Sequence, residues 1–386
     1  MWIFAYDYPV ESAIRQMSTQ SLAATENNRS PLKSLEERTG AHWPTIAAAE
    51  RQTQIERSIL EDALGQFTSA DSTIVAFGSL ARAEFTSGSD LDWILLLDGI
   101  SRPEHQQVAQ AIRLKIDELK RKQPGTEGVF GSLVASHDLV HNIGGEDDSN
   151  SNMTLRILLL LESIPIGRAE AYDRVLNNVL SRYLDEDRGL WHGSGIYKVP
   201  RFLFNDVARY WRTMTVDFAY KQRDRQNRGF AIRNLKLRMS RKLLFLADMI
   251  ACFECHTDFA SPEDRTDFYS TKQVHSVIRR LRSVLSQSPL DIIATALLRL
   301  PELDVHSRKL LDAYDSFLSM LADEQILPTG LTVRQHLDAL PVEQLGTDQI
   351  ASQGRDVSHR FRDAIRSIFL NPDNPLGQLT IEYGVF

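Results

Sequence analysis

The chain has 386 residues, 42% hydrophobic and 25% charged, with a formal net charge of -7. That length and composition call for a soluble globular protein of two or three domains. The acidic balance speaks against a protein that coats nucleic acid through a general basic excess, although a local basic patch remains compatible with it.

The N-terminal segment reaches Asp7 and Glu11 without a positively charged lead, so no secretory signal is expected. The apolar run Ile157 to Leu161, like every other in the chain, falls far short of the roughly 18 residues that cross a bilayer. The expectation is a cytoplasmic protein with no membrane partner.

In chain order, residues 1–42 are polar and read as an N-terminal arm. From Trp43 to about Phe67, apolar residues such as Ile46, Ile55, Ile59, Leu60 and Leu64 recur at helical spacing. "STIVAFGS" is a short buried strand ending at Gly78, and Leu91 to Gly99 is a second. A helix from Pro103 to about Arg121 follows, stopped by Gln123-Pro124-Gly125.

"VFGSLVASHDLVHNI" contains a third strand candidate, and Gly144 to Asn152 is an acidic loop in which Asp147 and Asp148 are expected to be solvated. Thereafter the pattern is helical, over 153–163, 169–185, 199–222, 231–253, 271–300, 306–325 and 357–369. The expected fold is α+β: a small mixed sheet with flanking helices (43–168), then a large all-helical domain (169–386).

The chemistry concentrates in F-G-S-L-A-R-A-E-F-T-S-G-S-D-L-D-W-I-L-L-L, from Phe77. Gly78 and Ser79 close a strand, so backbone amides can approach a phosphate. Leu80 to Glu84 are expected to start a helix there, an anion-friendly terminus. Asp90 and Asp92 alternate with Leu91, so a two-residue period places both carboxylates on one sheet face and Leu91 and Trp93 on the other. Two carboxylates on a rigid face suit magnesium bound to substrate phosphates. The bland alternative is a pair of solvated aspartates at a strand start.

This arrangement resembles the signature of the DNA polymerase β-like nucleotidyltransferase superfamily. "ARAEFTSGSD" is most similar to the bacterial PII uridylyltransferase and its relatives, with Arg82 and Glu84 after the Gly-Ser. The resemblance is dense over Phe77 to Leu97 and thin elsewhere. It implies an ATP- or other NTP-binding transferase that uses Mg2+ or Mn2+. It also implies Gly78, Ser79 and Arg82 as nucleotide-binding residues, and catalytic, metal-binding Asp90 and Asp92.

Members of this superfamily usually add a third acid. Asp138 is the candidate, as catalytic residue and metal ligand, with Glu127 the alternative. Without a third acid the domain would be crippled, and a nucleotide-sensing or partner-binding regulatory module becomes the alternative function. The resemblance does not carry over PII as substrate. The acceptor could be a protein side chain, a short RNA end or a second nucleotide; long nucleic acid is disfavoured.

The chain reverses its charge between Lys221 and Lys242. Lys221, Arg223, Arg225, Arg228, Arg233, Lys236, Arg238, Arg241 and Lys242 face one acid, Asp224. By the same resemblance, Arg233 or Lys236 would bind the triphosphate; a solvated or internally paired basic face is the other reading. Arg201, Asn205 and Arg209 share a helical stripe that could face the cleft. Tyr210 or Trp211 could stack on a base, though aromatics at such spacing more often pack in a core.

His137 and His141 are expected on an extended segment, too far apart to share a metal. Cys252 and Cys255, in "ACFECH", are expected to be two helix-packed thiols rather than a haem or zinc site.

Overall fold

A computed structural model describes residues 30–384, except 87, 126–128, 193–197, 225 and 323–324. Its sheet has four strands, β1 (Ser72–Phe77), β2 (Trp93–Leu97), β3 (Ser132–Ala135) and β4 (Ser163–Ile166), in the order β3-β2-β1-β4. β1 runs antiparallel to both β2 and β4, and β3 lies parallel to β2. The small mixed sheet among many helices is the expected α+β class.

β4 departs from the sequence reading, which ran a helix to residue 163. Pro165 explains the change, because it cannot continue a helix and is tolerated on an edge strand, where β4 lies.

Every residue of β1 and β2 is buried, because helices cover both faces of the sheet. Val75, Phe77, Ile94 and Leu96 join one core cluster with residues of helices Asn150–Leu161 and Glu170–Asp185. Ile74, Ala76, Trp93 and Leu95 join a second with Leu60 and Leu64 of helix Pro44–Leu64 and Ile112 and Ile116 of helix Pro103–Glu118. This is the two-residue alternation of strands written into packing.

The first cluster runs on from Leu32 to Leu379. The helices beyond residue 168 therefore share a core with the sheet.

Part of the segment expected as an N-terminal arm is helical: residues 1–29 lie outside the described residues, and Pro31–Thr39 is a helix. Ser30 caps its start, and Gly40 ends it in the left-handed region. Arg38 anchors it by donating to the carbonyls of Leu297 at 2.9 Å and Leu298 at 2.7 Å.

Asp148 also departs from expectation, being buried rather than solvated. Arg156 sits fully buried in helix Asn150–Leu161 and must be neutralised there. Asp148 folds back onto it in a bidentate pair at 2.8 and 3.0 Å, and Asp206 adds a third contact at 3.1 Å.

Two long expected helices are each broken. The first becomes Phe230–Arg238 and Ser240–Thr257, hinged at Met239 (φ -110°, ψ -88°). The second becomes Val274–Leu285 and Pro289–Leu298, separated by the Ser288 cap. Cys252 and Cys255 are free, buried thiols within helix Ser240–Thr257, as expected.

Candidate active site

β1 and β2 set the first part of the site. The Phe77 amide donates to the Asp92 carbonyl at 2.9 Å, carrying the ladder one residue beyond the strands. Gly78 then takes φ +70°, and a methyl group there would lie 3.0 Å from Asp92 Oδ2. Only glycine combines that backbone with so close a carboxylate.

The chain turns once after Gly78, with Arg82 N donating to Gly78 O at 3.0 Å and Glu84 N to Ser79 O at 2.8 Å. Ala83, at φ 60°, ends the turn. The helix expected over Leu80 to Glu84 is therefore a single turn. Of its residues Gly78 lines the cleft described below and Ser79 does not, and a single turn supplies no helix dipole.

Leu91 and Trp93 are buried in the second core cluster, as the alternation requires. Asp90 forms an isolated bridge to Lys122, whose ammonium lies 2.5 Å from Asp90 Oδ1. Asp92 turns inward. Burial holds its carboxyl above the usual carboxylate range; Arg241 opposes that rise, the Asp90 charge adds to it, and Arg82 and Lys236 oppose it.

Asp92 and Gly78 line a cleft of about 870 Å³. Phe77 and Phe130 line it from the sheet end, and Asn150, Ser151 and Thr154 from the start of helix Asn150–Leu161. Tyr210, Arg212, Asp217 and Lys221 come from helix Arg201–Asp224. Arg233 and Lys236 lie on one side of the Met239 hinge and Arg241 on the other.

Residues five apart on one continuous helix would point about 140° away from each other, so the hinge lets Lys236 and Arg241 reach the same cleft. Burial, with the nearby charges of Arg334 and Arg82, lowers the Lys236 ammonium to about 8. Asp90 acts in the opposite sense, and Arg241 adds to the lowering.

Several sequence candidates lie elsewhere. Arg82 is buried and committed to two carboxylates, Glu84 at 2.9 Å through Nε and Glu162 through Nη1. It braces the turn instead of lining the cleft.

Asp138 is exposed in the first turn of helix Ser136–His141 rather than on a strand. β2 and β3 are parallel, with Ile94 beside Ser132 and Leu97 beside Ala135. Asp92 therefore precedes one end of β2 while Asp138 follows the other, with about 16 Å of strand between at about 3.3 Å per residue. Asp138 is not the third carboxylate. Glu127 lies outside the described residues, as does Arg225. No three or more His, Cys, Asp or Glu side chains among the described residues are grouped to hold a metal.

The Arg201, Asn205 and Arg209 stripe stays out of the cleft lining. Arg201 sits over the Tyr383 ring at 5.7 Å, and Arg209 hydrogen-bonds Asn150 at 3.2 Å. Tyr210 lines the cleft, while Trp211 stacks on Phe245 at 5.5 Å. His137 and His141 are helical, not extended, which brings their rings to 4.7 Å.

Glu162 and Arg241 are among the cleft residues that escaped the sequence reading as site residues. The register of β4, which pairs Ser163 with Phe77, puts Glu162 beside Gly78. Local sequence signalled neither position, since β4 itself was unrecognised and Arg241 was one of nine basic residues. No protein-family model matches the chain, and no curated protein matches it, so the functional reading stands on this geometry.

Proposed function

We propose that the chain is a metal-dependent nucleotidyltransferase that moves a nucleoside monophosphate from an NTP to an acceptor hydroxyl and releases pyrophosphate. One observation carries this reading. A half-buried aspartate packs against a left-handed glycine in a cleft that is also lined by Arg233, Lys236 and Arg241.

The donor set fits Mg2+ or Mn2+. Asp90 and Asp92 are hard oxygen donors of like charge, and the Asp92 carboxylate accepts no hydrogen bond from any described side chain. When bound, the ion supplies charge neutralisation at the phosphates and activates the acceptor oxygen. The rest falls to the chain. Gly78 admits a phosphate close to the backbone, and Arg233, Lys236 and Arg241 hold the polyphosphate. Ligand pockets span roughly 300 to 1,000 Å³, so this cleft has room for a nucleotide together with the reacting end of an acceptor. A protein side chain, a short RNA end and a second nucleotide all meet that requirement.

The position of Asp138 favours a second reading, a catalytically inactive nucleotide-sensing or partner-binding module that lacks the third acid. Incubation with labelled NTPs and Mg2+ separates the two. Pyrophosphate release that disappears in the Asp90→Ala, Asp92→Ala double variant is the expected result. Release that persists unchanged in the variant removes the transferase reading, and nucleotide binding without release by the wild type supports the sensor.

A further inference from the structure

Behind the cleft, Glu162 is almost fully buried, 2% exposed. Its Oε2 and Oε1 accept from Arg241 Nη1 at 2.8 and 3.0 Å. Arg82 donates to the same carboxylate and reaches Glu84, which also accepts the hydroxyl of Tyr314 from helix Asp304–Leu321. Two guanidiniums and two carboxylates balance, so the cluster carries no net charge into the core.

Among the described residues Arg241 is held through Nη1 alone. A guanidinium has five N–H donors, and Glu162 engages Nη1, leaving the remainder for the cleft that Arg241 lines. Arg241 is also the strongest cationic influence on Asp92.

Resting on the transferase reading above, we propose that Glu162 is a positioning residue for the NTP. It keeps the Arg241 guanidinium off Asp92 and turned toward the polyphosphate. Without this anchor the guanidinium is drawn toward Asp92, on which it already acts most strongly of the cations, where it would compete with the divalent ion and cease to serve the phosphates. The acid beside Gly78 thus does not act on the reacting atoms; it acts through an arginine.

A double-mutant cycle on the full chain tests this, read by binding of a fluorescent NTP analogue in the presence of Mg2+, which needs no acceptor. Glu162→Gln and Arg241→Ala are each expected to weaken binding by about tenfold. The double variant should be no weaker than Arg241→Ala, because both changes disable one guanidinium. Added guanidinium ion should partly restore binding to Arg241→Ala but not to the double variant, which lacks the carboxylate that would seat it.

Additive losses, or unchanged binding in Glu162→Gln, overturn the role. If Glu162→Gln does not fold, Glu162→Asp replaces it in the cycle under the same criteria, and the absence of guanidinium rescue in Arg241→Ala overturns the role independently. A wild type that binds no triphosphate overturns the transferase reading itself, and this role with it. A wild type that binds while the pair is additive overturns the role alone.

Discussion

Lys236 offers the sharpest test of the cleft, because its ammonium is pulled from 10.5 to about 8. At about 1.4 kcal/mol per pKa unit, that displacement sets roughly 3 kcal/mol against charging Lys236 in the free protein. The sign follows from its being a base with a depressed value. The cost is fully present below about pH 8 and is relieved between about 8 and 10.5 as the folded protein gives up the proton first.

Triphosphate binding needs the ammonium. The charged fraction falls from about nine-tenths at pH 7 to about one-tenth at pH 9, so NTP affinity should drop up to ninefold over that range. Calorimetric titration with an NTP and Mg2+ should also show proton uptake near pH 8.5, because the bound phosphates restore the charge.

Two substitutions complete the experiment. Lys236→Arg keeps a charge that does not titrate in this window, so its affinity should stay level with pH. Lys236→Met removes the charging cost and should raise the melting temperature near pH 7 while weakening NTP binding, a divergence expected where a site is strained for function. A wild type with level affinity across this range would refute the reasoning, as would a Lys236→Arg variant that keeps the wild-type slope.

Gly78→Ala places a methyl group 3.0 Å from Asp92 Oδ2 at φ +70°. It should cost about 1 to 3 kcal/mol in chemical denaturation and abolish NTP-dependent pyrophosphate release; full activity in this variant would contradict the close approach. Lys122→Met removes the ammonium 2.5 Å from Asp90 Oδ1. Because exposed pairs contribute about 0 to 1 kcal/mol, Mn2+ affinity should rise by no more than about fivefold, and weaker Mn2+ binding in a titration would show that the lysine does not compete with the ion. Tyr314→Phe leaves Glu84 short of a donor inside the core. Urea unfolding should register a loss of about 1.5 to 3 kcal/mol, and a variant as stable as the wild type would show that the hydroxyl does not support the Glu84–Arg82 brace.

Local pattern made much of this molecule legible. The alternation of Asp90, Leu91, Asp92 and Trp93 fixed which side chains enter the core, since a strand has a period of two regardless of its partners. Gly78 between a β-branched run and a turn announced a backbone that ordinary residues avoid. Ser30, Pro31 and Gly40 carry the start and end signals of a helix, but the reading of residues 1–42 as a polar arm passed over them. Asp138 misled because an acid followed by Leu139 and Val140 looks alike on a strand and on a short helix. Only the parallel pairing of β3 with β2 places it at the wrong end of the sheet.

The sequence by itself determined the α+β class, the turn at Gly78, the burial of Leu91 and Trp93 and the existence of a basic stretch. These properties depend on residues within a few positions of one another. The tertiary structure decided that Arg82 is a brace, that Glu162 stands beside Gly78 and that Lys236 and Arg241 meet in one cleft across the Met239 hinge. Those outcomes depend on strand register, hinge angle and the pairing of buried charges between residues as distant as Glu84 and Tyr314. No local preference encodes them, because each is selected by the need to neutralise charge inside a core that forms only when the whole chain has packed.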